Sequence, residues 1–330
     1  MKKLYKITTL FLASILITTI GIVVYFKNSL LIVYNVYEEL KTSNESIETL
    51  GQLTDYYITD TMDIKNVKYK ETNSKDVYLD IYKSDIKNKK SPVIIYIHGG
   101  SWIYGDNGIP IGLEPILSAF NQRGYTIISV SYELLKENTP IENPIKDVKD
   151  AIRWVYKNKD IYNFDTDNIG LLGISSGAHL GLMASYSEDN EFIGDNDLKN
   201  YSSKVKYVID IFGPTDLNTL DSTSIDDKYK GNIKNILSSS NLVDKYSPIN
   251  YISEDSPKTL IIHSKVDEIV PYENAFNLYT NLKNNKVKSK LLTLESGSHY
   301  FYGYTNYELV ALIFETLKFL DNTNKWYSRI

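Results

Sequence analysis

The chain contains no cysteine and only four histidines among its 330 residues. Without thiols it has no disulfides, no thiolate metal sites, no cysteine nucleophile and no lipid attachment through cysteine. The histidines, at positions 98, 179, 263 and 299, are scattered along the chain, and none has the H-x-x-x-H spacing typical of a zinc site. The sequence therefore predicts no metal centre.

The chain also lacks an excess of basic residues. Lysine and arginine number 36 against 41 aspartates and glutamates, which gives a formal net charge of -5. Nucleic-acid-binding domains carry a basic excess, so nucleic acid is not an expected partner. Hydrophobic residues make up 42% and charged residues 23%, which is ordinary for a globular domain with a buried core.

The N-terminus carries one long uncharged run, Ile7–Phe26. Twenty helical residues span about 30 Å, the thickness of a bilayer's hydrocarbon core. The run is preceded by Lys2, Lys3 and Lys6. A lysine excess on this side of the run predicts that the N-terminal end of the chain lies in the cytoplasm. We expect residues 1–27 to form a single-pass membrane anchor with the remainder outside the cytoplasm.

A cleaved secretory signal is the alternative for this segment, and it would release the protein. Such signals end in small residues, whereas this run ends in V-V-Y-F-K at 23–27. The uncleaved anchor is therefore favoured. Residues 28–59 then form a juxtamembrane linker, and no function can be inferred for them.

From residue 60 to residue 330 the pattern predicts one α/β domain. Short apolar runs alternate with segments of helical periodicity, the clearest being the helix at 144–158. About eight strands alternating with helices predict a mostly parallel sheet with helices on both faces. The polar stretch 217–247 predicts a small cap that leaves the sheet. The strands are expected at 67–71, 77–82, 93–97, 126–130, 169–172, 205–212, 259–262 and 290–294.

Residues 173–177 read G-I-S-S-G, directly after a predicted strand and before a predicted helix. This is the G-x-S-x-G pattern of a nucleophile elbow, in which glycines leave room for a serine on a tight, strained turn. Ser175 is the predicted nucleophile. The backbone N–H of Ser176, at the start of the helix, is the expected donor to a developing oxyanion.

Residues 98–105 read H-G-G-S-W-I-Y-G after the buried strand 93–97. Here the chain resembles the hormone-sensitive-lipase-like and feruloyl-esterase-like branch of the α/β-hydrolases, which carries H-G-G-G-x-x-x-G at this place. The resemblance implies an oxyanion hole at Gly99, Gly100 and Ser101, in which the N–H groups of Gly100 and Ser101 face the substrate oxygen together with that of Ser176. Ser101 departs from the usual third glycine.

The expected chain order of the triad is Ser, then Asp or Glu, then His. Asp267 follows the strand 259–262, and His299 follows the last predicted strand. The resemblance extends to both, since the family reads H-G-x-x-D-x-x-V-P and G-x-x-H-x-F, and it implies Asp267 as orienting acid and His299 as base. Glu268 is the rival acid, one residue out of phase.

The other histidines are expected to be structural: His98 holding its loop, His179 beneath the elbow, and His263 at its strand end. An aromatic group flanks the predicted site and is the expected substrate pocket: Trp102, Tyr104, Tyr300 and Phe301.

The predicted reaction is hydrolysis of a small or medium acyl ester through an acyl-enzyme, with no cofactor. A peptidase or amidase on the same fold and a non-catalytic surface binding protein remain open alternatives. The sequence does not predict an oligomeric state.

Overall fold

The computed structural model describes residues 62–323 except 72–75, 87–88, 111–112, 137–138, 221–235 and 238, together with Tyr34 and Glu38. These residues form one eight-stranded sheet in the order β1-β2-β4-β3-β5-β6-β7-β8. The strands are β1 (Ile64–Lys70), β2 (Val77–Tyr82), β3 (Ser91–Ile97), β4 (Thr126–Val130), β5 (Phe164–Ile174), β6 (Tyr207–Ile211), β7 (Lys258–Ser264) and β8 (Ser289–Leu294).

Most of the sheet is parallel. β2 pairs antiparallel with both β1 and β4, and every pair from β4 to β8 is parallel. The expected eight-stranded, mostly parallel sheet is confirmed. Parallel strands place their carboxyl ends along one edge, which is where open α/β sheets carry their sites.

Helices cover both faces of the sheet. The α-helices are α1 (Glu114–Gln122), α2 (Glu142–Lys157), α3 (Lys159–Tyr162), α4 (Ser176–Tyr186), α5 (Ser240–Lys245), α6 (Glu273–Asn284) and α7 (Asn306–Thr323). In β3, Ile95 packs into a core with residues of α2, α4 and α6, while its neighbour Ile94 packs into a second core with residues of α1 and α7. Burial on both faces explains why this strand is an unbroken apolar run.

The start of β5 and the helix α3 differ from what the sequence predicts. β5 begins at Phe164, well before the expected 169, because its first residues pair with the start of β3 across an irregularity at Pro92. The polar residues 165–168 hid this extension, since they break the apolar run. The short helix α3 was not predicted at all, because its four residues are too few to show a period.

The predicted anchor and linker, residues 1–59, lie outside the described residues apart from Tyr34 and Glu38. Within the part of the chain that the structure describes, no helix combines the length and apolar character needed to cross a bilayer. The predicted cap at 217–247 is described at its two ends, which contain a 3₁₀ turn at Leu217–Thr219 and the helix α5. Its middle, 221–235 and 238, lies outside.

A buried ionic cluster joins β1 to α2. Lys70 Nζ lies 2.7 Å from Asp147 Oδ1 and 2.8 Å from Asp150 Oδ2. Arg153 donates to Asp150 Oδ1 at 3.0 Å and to the carbonyl of Asp189 at 2.7 Å. The side chains of Asp150 and Arg153 have no exposed surface. Charges this deep are tolerated only when they are paired.

We expect Asp150→Ala to lower the free energy of unfolding by about 3–5 kcal/mol, because it leaves the buried Arg153 and the largely buried Lys70 without their shared partner. Urea denaturation of the purified protein measures the change. Lys68→Ala is the control, since it breaks only exposed ion pairs, those with Glu71 and Asp76, and should have little effect. Equal losses from the two substitutions would contradict the structural role of the cluster.

Candidate active site

Ser175 lies at the sharp turn between β5 and α4. Its backbone has φ 54° and ψ -121°, a region that residues other than glycine seldom occupy. Two hydrogen bonds hold it there: its N–H donates to the carbonyl of Ile211 at 2.8 Å, and its carbonyl accepts from the N–H of His179 at 3.1 Å. The turn therefore holds the serine in a conformation that presents its side chain at the carboxyl edge of the sheet.

Both glycines of the motif are required by close backbone contacts. A Cβ on Gly173 would lie 2.5 Å from the backbone nitrogen of Ala178, and one on Gly177 would lie 2.2 Å from the carbonyl oxygen of Ile97. Neither obstacle is a flexible side chain. The spacing G-x-S-x-G thus follows from the packing of the turn against β3 and α4.

His299 lies in the loop between β8 and α7 and reaches the serine from the far end of the chain. Its Nε2 is 2.8 Å from Ser175 Oγ, and its Nδ1 is 2.8 Å from Asp267 Oδ2. An ionised carboxylate only accepts hydrogen bonds, so Nδ1 carries the proton and Nε2 accepts from the hydroxyl. The structure thus brings together the three residues predicted as a triad.

Asp267 follows β7, and its side chain has no exposed surface. Its second oxygen, Oδ1, accepts from the N–H groups of Ile269 at 2.9 Å and Val270 at 2.8 Å. Burial acts to raise the pKa of Asp267, but the hydrogen bonds and the charge of His299 outweigh it, so the pKa lies below its usual value. The carboxylate is fixed in place and ionised.

The rival acid, Glu268, does not contact the imidazole in this arrangement. Its Oε2 accepts from the backbone N–H of His299 at 3.2 Å. His263 is fully buried behind the acid, where its Nε2 lies 2.9 Å from the carbonyl of Val270 and 3.5 Å from Asp267 Oδ2. Burial lowers the pKa of His263. Both residues support the acid and base loops from outside the hydrogen-bond chain.

The predicted oxyanion loop lies against the elbow. A Cβ on Gly99 would come 3.5 Å from Ser175 Cβ, and Gly100 and Ser101 have φ of 117° and 52°. The N–H groups of Gly100, Ser101 and Ser176 donate to no residue that the structure describes. Free N–H groups beside a nucleophile, one of them at a helix N-terminus, suit a developing negative charge.

His98 holds this loop from below. Its Nδ1 lies 2.7 Å from the carbonyl of Gly99, and its ring stacks on Tyr132 at 4.2 Å between centroids. The Tyr132 hydroxyl donates in turn to the carbonyl of His98 at 3.1 Å. Burial lowers the pKa of His98 to about 4. This histidine has the supporting contacts expected of it and does not reach the nucleophile's hydrogen-bond chain.

Trp102 has a different place from the one expected. It is only 5% exposed and packs in the core shared with α2 and α4. Its Nε1 donates to His179 Nδ1 at 3.1 Å, so His179 Nε2 is protonated and donates to the carbonyl of Tyr246 at 2.8 Å. The sequence pattern showed an aromatic residue beside the loop but not that its indole points inward, and a role of Trp102 in the substrate pocket stays a prediction.

The other three expected pocket residues lie nearer the surface. Tyr104 is 40% exposed. Tyr300 is half-buried, with its ring edge-on to His299 at 5.8 Å. Phe301 is half-buried and packs against Phe212 at 5.1 Å. Among these, Tyr104 and Tyr300 are the better placed to meet a substrate, whereas Phe301 also supports the His299 loop.

Glu308 was not singled out from the sequence. It lies in the first turn of α7, and its carboxylate accepts from both Thr305 and Ser296. The sequence does carry a signal for this role, because T-x-x-E at 305–308 is the capping-box pattern that begins many helices.

In the part of the chain that the structure describes, no group of acidic and histidine side chains is arranged to hold a metal ion.

Comparison with known proteins points to one family. Residues 79–282, well over half of the chain, match the BD-FAE family model. Esterase LipC of Mycobacterium tuberculosis is 26% identical over 213 residues, which are 62% of this chain and 52% of LipC. A probable isoprenylcysteine α-carbonyl methylesterase of Oryza sativa is 24% identical over 75% of this chain and 59% of its own length. The chain spans about half the length of the curated relatives it matches.

Solved structures share the fold. A truncated carbohydrate esterase from gut microbiota superposes with a TM-score of 0.65 at 25% identity, covering 82% of this chain and all of that one. A thermophilic esterase of Thermogutta terrifontis gives a TM-score of 0.66 at 22% identity, over 81% of this chain and 94% of that one. These matches confirm the resemblance drawn from the motifs. The chain belongs to the BD-FAE family, and its fold is that of the α/β-hydrolases.

Proposed function

We propose that this protein is a serine carboxylesterase. The observation that carries the proposal is the continuous hydrogen-bond chain from Ser175 through His299 to Asp267, with both distances at 2.8 Å. Nucleophile, base and orienting acid within hydrogen-bond reach of each other are the signature of covalent acyl transfer. Membership of the BD-FAE family and esterase relatives such as LipC support the same activity.

In the acylation step, Ser175 Oγ bonds to the carbonyl carbon of the ester while its proton passes to His299 Nε2. The carbonyl oxygen becomes an oxyanion. The imidazolium then gives the proton to the leaving alcohol as the carbon–oxygen bond to that alcohol breaks. In deacylation, water gives a proton to His299 and bonds to the acyl carbon, the bond to Oγ breaks, and the proton returns to Ser175 as the acid leaves.

Asp267 keeps its negative charge throughout this cycle. It holds the Nδ1–H of His299 and stabilises the imidazolium that forms in each step. Because its pKa lies below the usual value, it remains ionised wherever the histidine is neutral enough to act as a base. The N–H groups of Gly100, Ser101 and Ser176 would receive the oxyanion.

Acyl esters of small or medium size are the proposed substrates. Tyr300, whose ring lies edge-on to His299, and the exposed Tyr104 of the oxyanion loop would offer aromatic surface to an acyl, aryl or sugar group. The carbohydrate esterase among the structural relatives fits the same class. No contact described above favours an amide over an ester.

We also propose that residues 1–27 anchor the protein in a membrane with the catalytic domain outside the cytoplasm. The uncharged run Ile7–Phe26 and the lysines before it support this placement. Protease added to intact cells expressing the full chain should then remove the domain. Protection in intact cells, with digestion after permeabilisation, would contradict the orientation.

Ser175→Ala should lower kcat by about 10⁴-fold or more, and Asp267→Asn by a similar order, because each breaks the hydrogen-bond chain. Hydrolysis of p-nitrophenyl acetate and butyrate by the full chain measures both. Asp216→Asn is the matched control, since Asp216 lies at the same sheet edge but only caps a 3₁₀ turn. Wild-type rates in Ser175→Ala would exclude the proposed nucleophile, and cleavage of an aminoacyl anilide in preference to esters would indicate an amidase.

Gly100→Ala should lower kcat by about 10²–10³-fold, the usual effect of losing an oxyanion donor. Its Cβ would lie 2.5 Å from the carbonyl oxygen of Tyr104 at a φ of 117°, so the loop must change its conformation. The control is Gly124→Ala, which places an alanine at a φ of 91° in the turn after α1, away from the site. An unchanged kcat in a folded Gly100→Ala protein would argue against this loop as the oxyanion hole.

A further inference from the structure

The loop that carries His299 runs from residue 295 to residue 305, between β8 and α7, and one carboxylate binds both of its ends. Glu308 Oε1 accepts from the N–H groups of Glu295 at 2.7 Å and Ser296 at 2.8 Å. Its Oε2 accepts from the Thr305 N–H at 2.9 Å, from the Thr305 hydroxyl at 2.6 Å and from the Ser296 hydroxyl. Glu308 is only 8% exposed.

The interior of this loop is fixed to the same frame. The Ser298 N–H donates to the carbonyl of Tyr302 at 2.7 Å, and the Tyr304 hydroxyl donates to the carbonyl of Ser298 at 3.0 Å. Gly297 has a φ of 86°, and a Cβ there would meet the Tyr304 ring. A displacement of either loop end would therefore be passed to His299.

Helix capping alone does not account for these contacts. A capping box needs only the reciprocal pair, in which Thr305 Oγ1 accepts from the Glu308 N–H at 3.3 Å and Glu308 accepts from the Thr305 N–H. The bonds to Glu295 and Ser296 cross from the helix to the end of β8. They add nothing to the helix terminus but close the loop at its base.

We propose that Glu308 is a positioning residue for acyl transfer, because its carboxylate clamps both ends of the His299 loop and so sets the distance from the imidazole to Ser175. This inference rests on the proposed esterase function. The clamp needs a carboxylate, since all five groups that face the two oxygens donate. A glutamine amide would direct N–H groups at some of these donors.

The charge on Glu308 is well stabilised. Burial acts to raise its pKa, but hydrogen bonds from Ser296 and Thr305 outweigh it and lower the pKa from 4.5 to about 2. A depressed pKa contributes stability that is present above 4.5 and is lost as the pH falls toward 2. The clamp is therefore intact at every pH at which a histidine can serve as a base.

The test compares Glu308→Gln, Ser296→Ala and Glu315→Gln in the full chain. We expect Glu308→Gln to lower kcat for p-nitrophenyl acetate by about 10²-fold, the loss that a shift of about 1 Å in a reacting group produces, with KM little changed. Ser296→Ala removes one of the five bonds and should cost about 2- to 10-fold. Glu315→Gln, on the same helix, breaks the surface ion pair with Lys290 and should keep the wild-type kcat.

A second readout does not depend on turnover. The proton between His299 Nδ1 and Asp267 gives a far-downfield ¹H NMR signal that is assigned by its loss in His299→Ala, and Glu308→Gln should shift or broaden it. A folded Glu308→Gln protein with wild-type kcat and an unchanged signal would overturn the proposal. So would a fall in melting temperature with kcat per folded molecule unchanged. If Glu308→Gln fails to fold, an unchanged kcat and an unchanged NMR signal in Ser296→Ala overturn the proposal.

An inactive wild-type protein would refute the esterase function, and the NMR comparison would still decide the positioning role of Glu308.

Discussion

Ser175 is held in a backbone conformation that serine rarely adopts, and the rest of the site is arranged around it. Such a conformation costs about 1–3 kcal/mol and persists only when the surroundings leave no alternative. Here the N–H and carbonyl of Ser175 are both bound, and backbone atoms press against the glycines on either side. These contacts therefore keep the hydroxyl at the sheet edge without any contribution from a substrate.

Sheet topology explains how distant parts of the chain meet at this hydroxyl. The oxyanion loop follows β3, the nucleophile follows β5, and the acid and base follow β7 and β8. All four strands are parallel, so their carboxyl ends share one edge, and β3 is the direct neighbour of β5. Each residue of the site follows the carboxyl end of one of these strands. The sheet thus brings the site residues together, and two helices add to the site, α4 with the N–H of Ser176 and α7 with the carboxylate of Glu308.

Much of this could be predicted from the sequence, for physical reasons. A strand buried on both faces is mostly apolar, which is why the apolar runs within β3, β4 and β7 could be recognised in the sequence. The nucleophile elbow could be predicted because backbone contacts at Gly173 and Gly177 leave no room for a side chain, so both positions must be glycine. In both cases a local constraint dictates the residue type. The functional roles of the assembled residues remain predictions until activity is measured.

What could not be predicted depends on contacts between distant segments. The charged residues Lys70, Asp150 and Arg153 would be expected at the surface, and only the packing of α2 against β1 shows that they satisfy one another inside. The inward direction of Trp102 depends on His179 being beneath it. Glu308 fits a local capping pattern, but its bonds across the loop base depend on the end of β8 lying beside α7.

His179 has a further consequence for how this site tolerates change. It lies between Trp102 of the oxyanion loop and Tyr246 at the end of the cap segment, and it uses one ring nitrogen as acceptor and the other as donor. A residue that replaces His179 would have to accept a hydrogen bond from Trp102 and donate one to Tyr246 from opposite sides of its side chain. The bond to Tyr246 uses a backbone carbonyl and so does not depend on the residue type at position 246, whereas Trp102 and His179 interact through their side chains. A substitution at position 246 would leave this hydrogen bond in place, whereas a substitution at position 102 or 179 would remove a bond of the bridge.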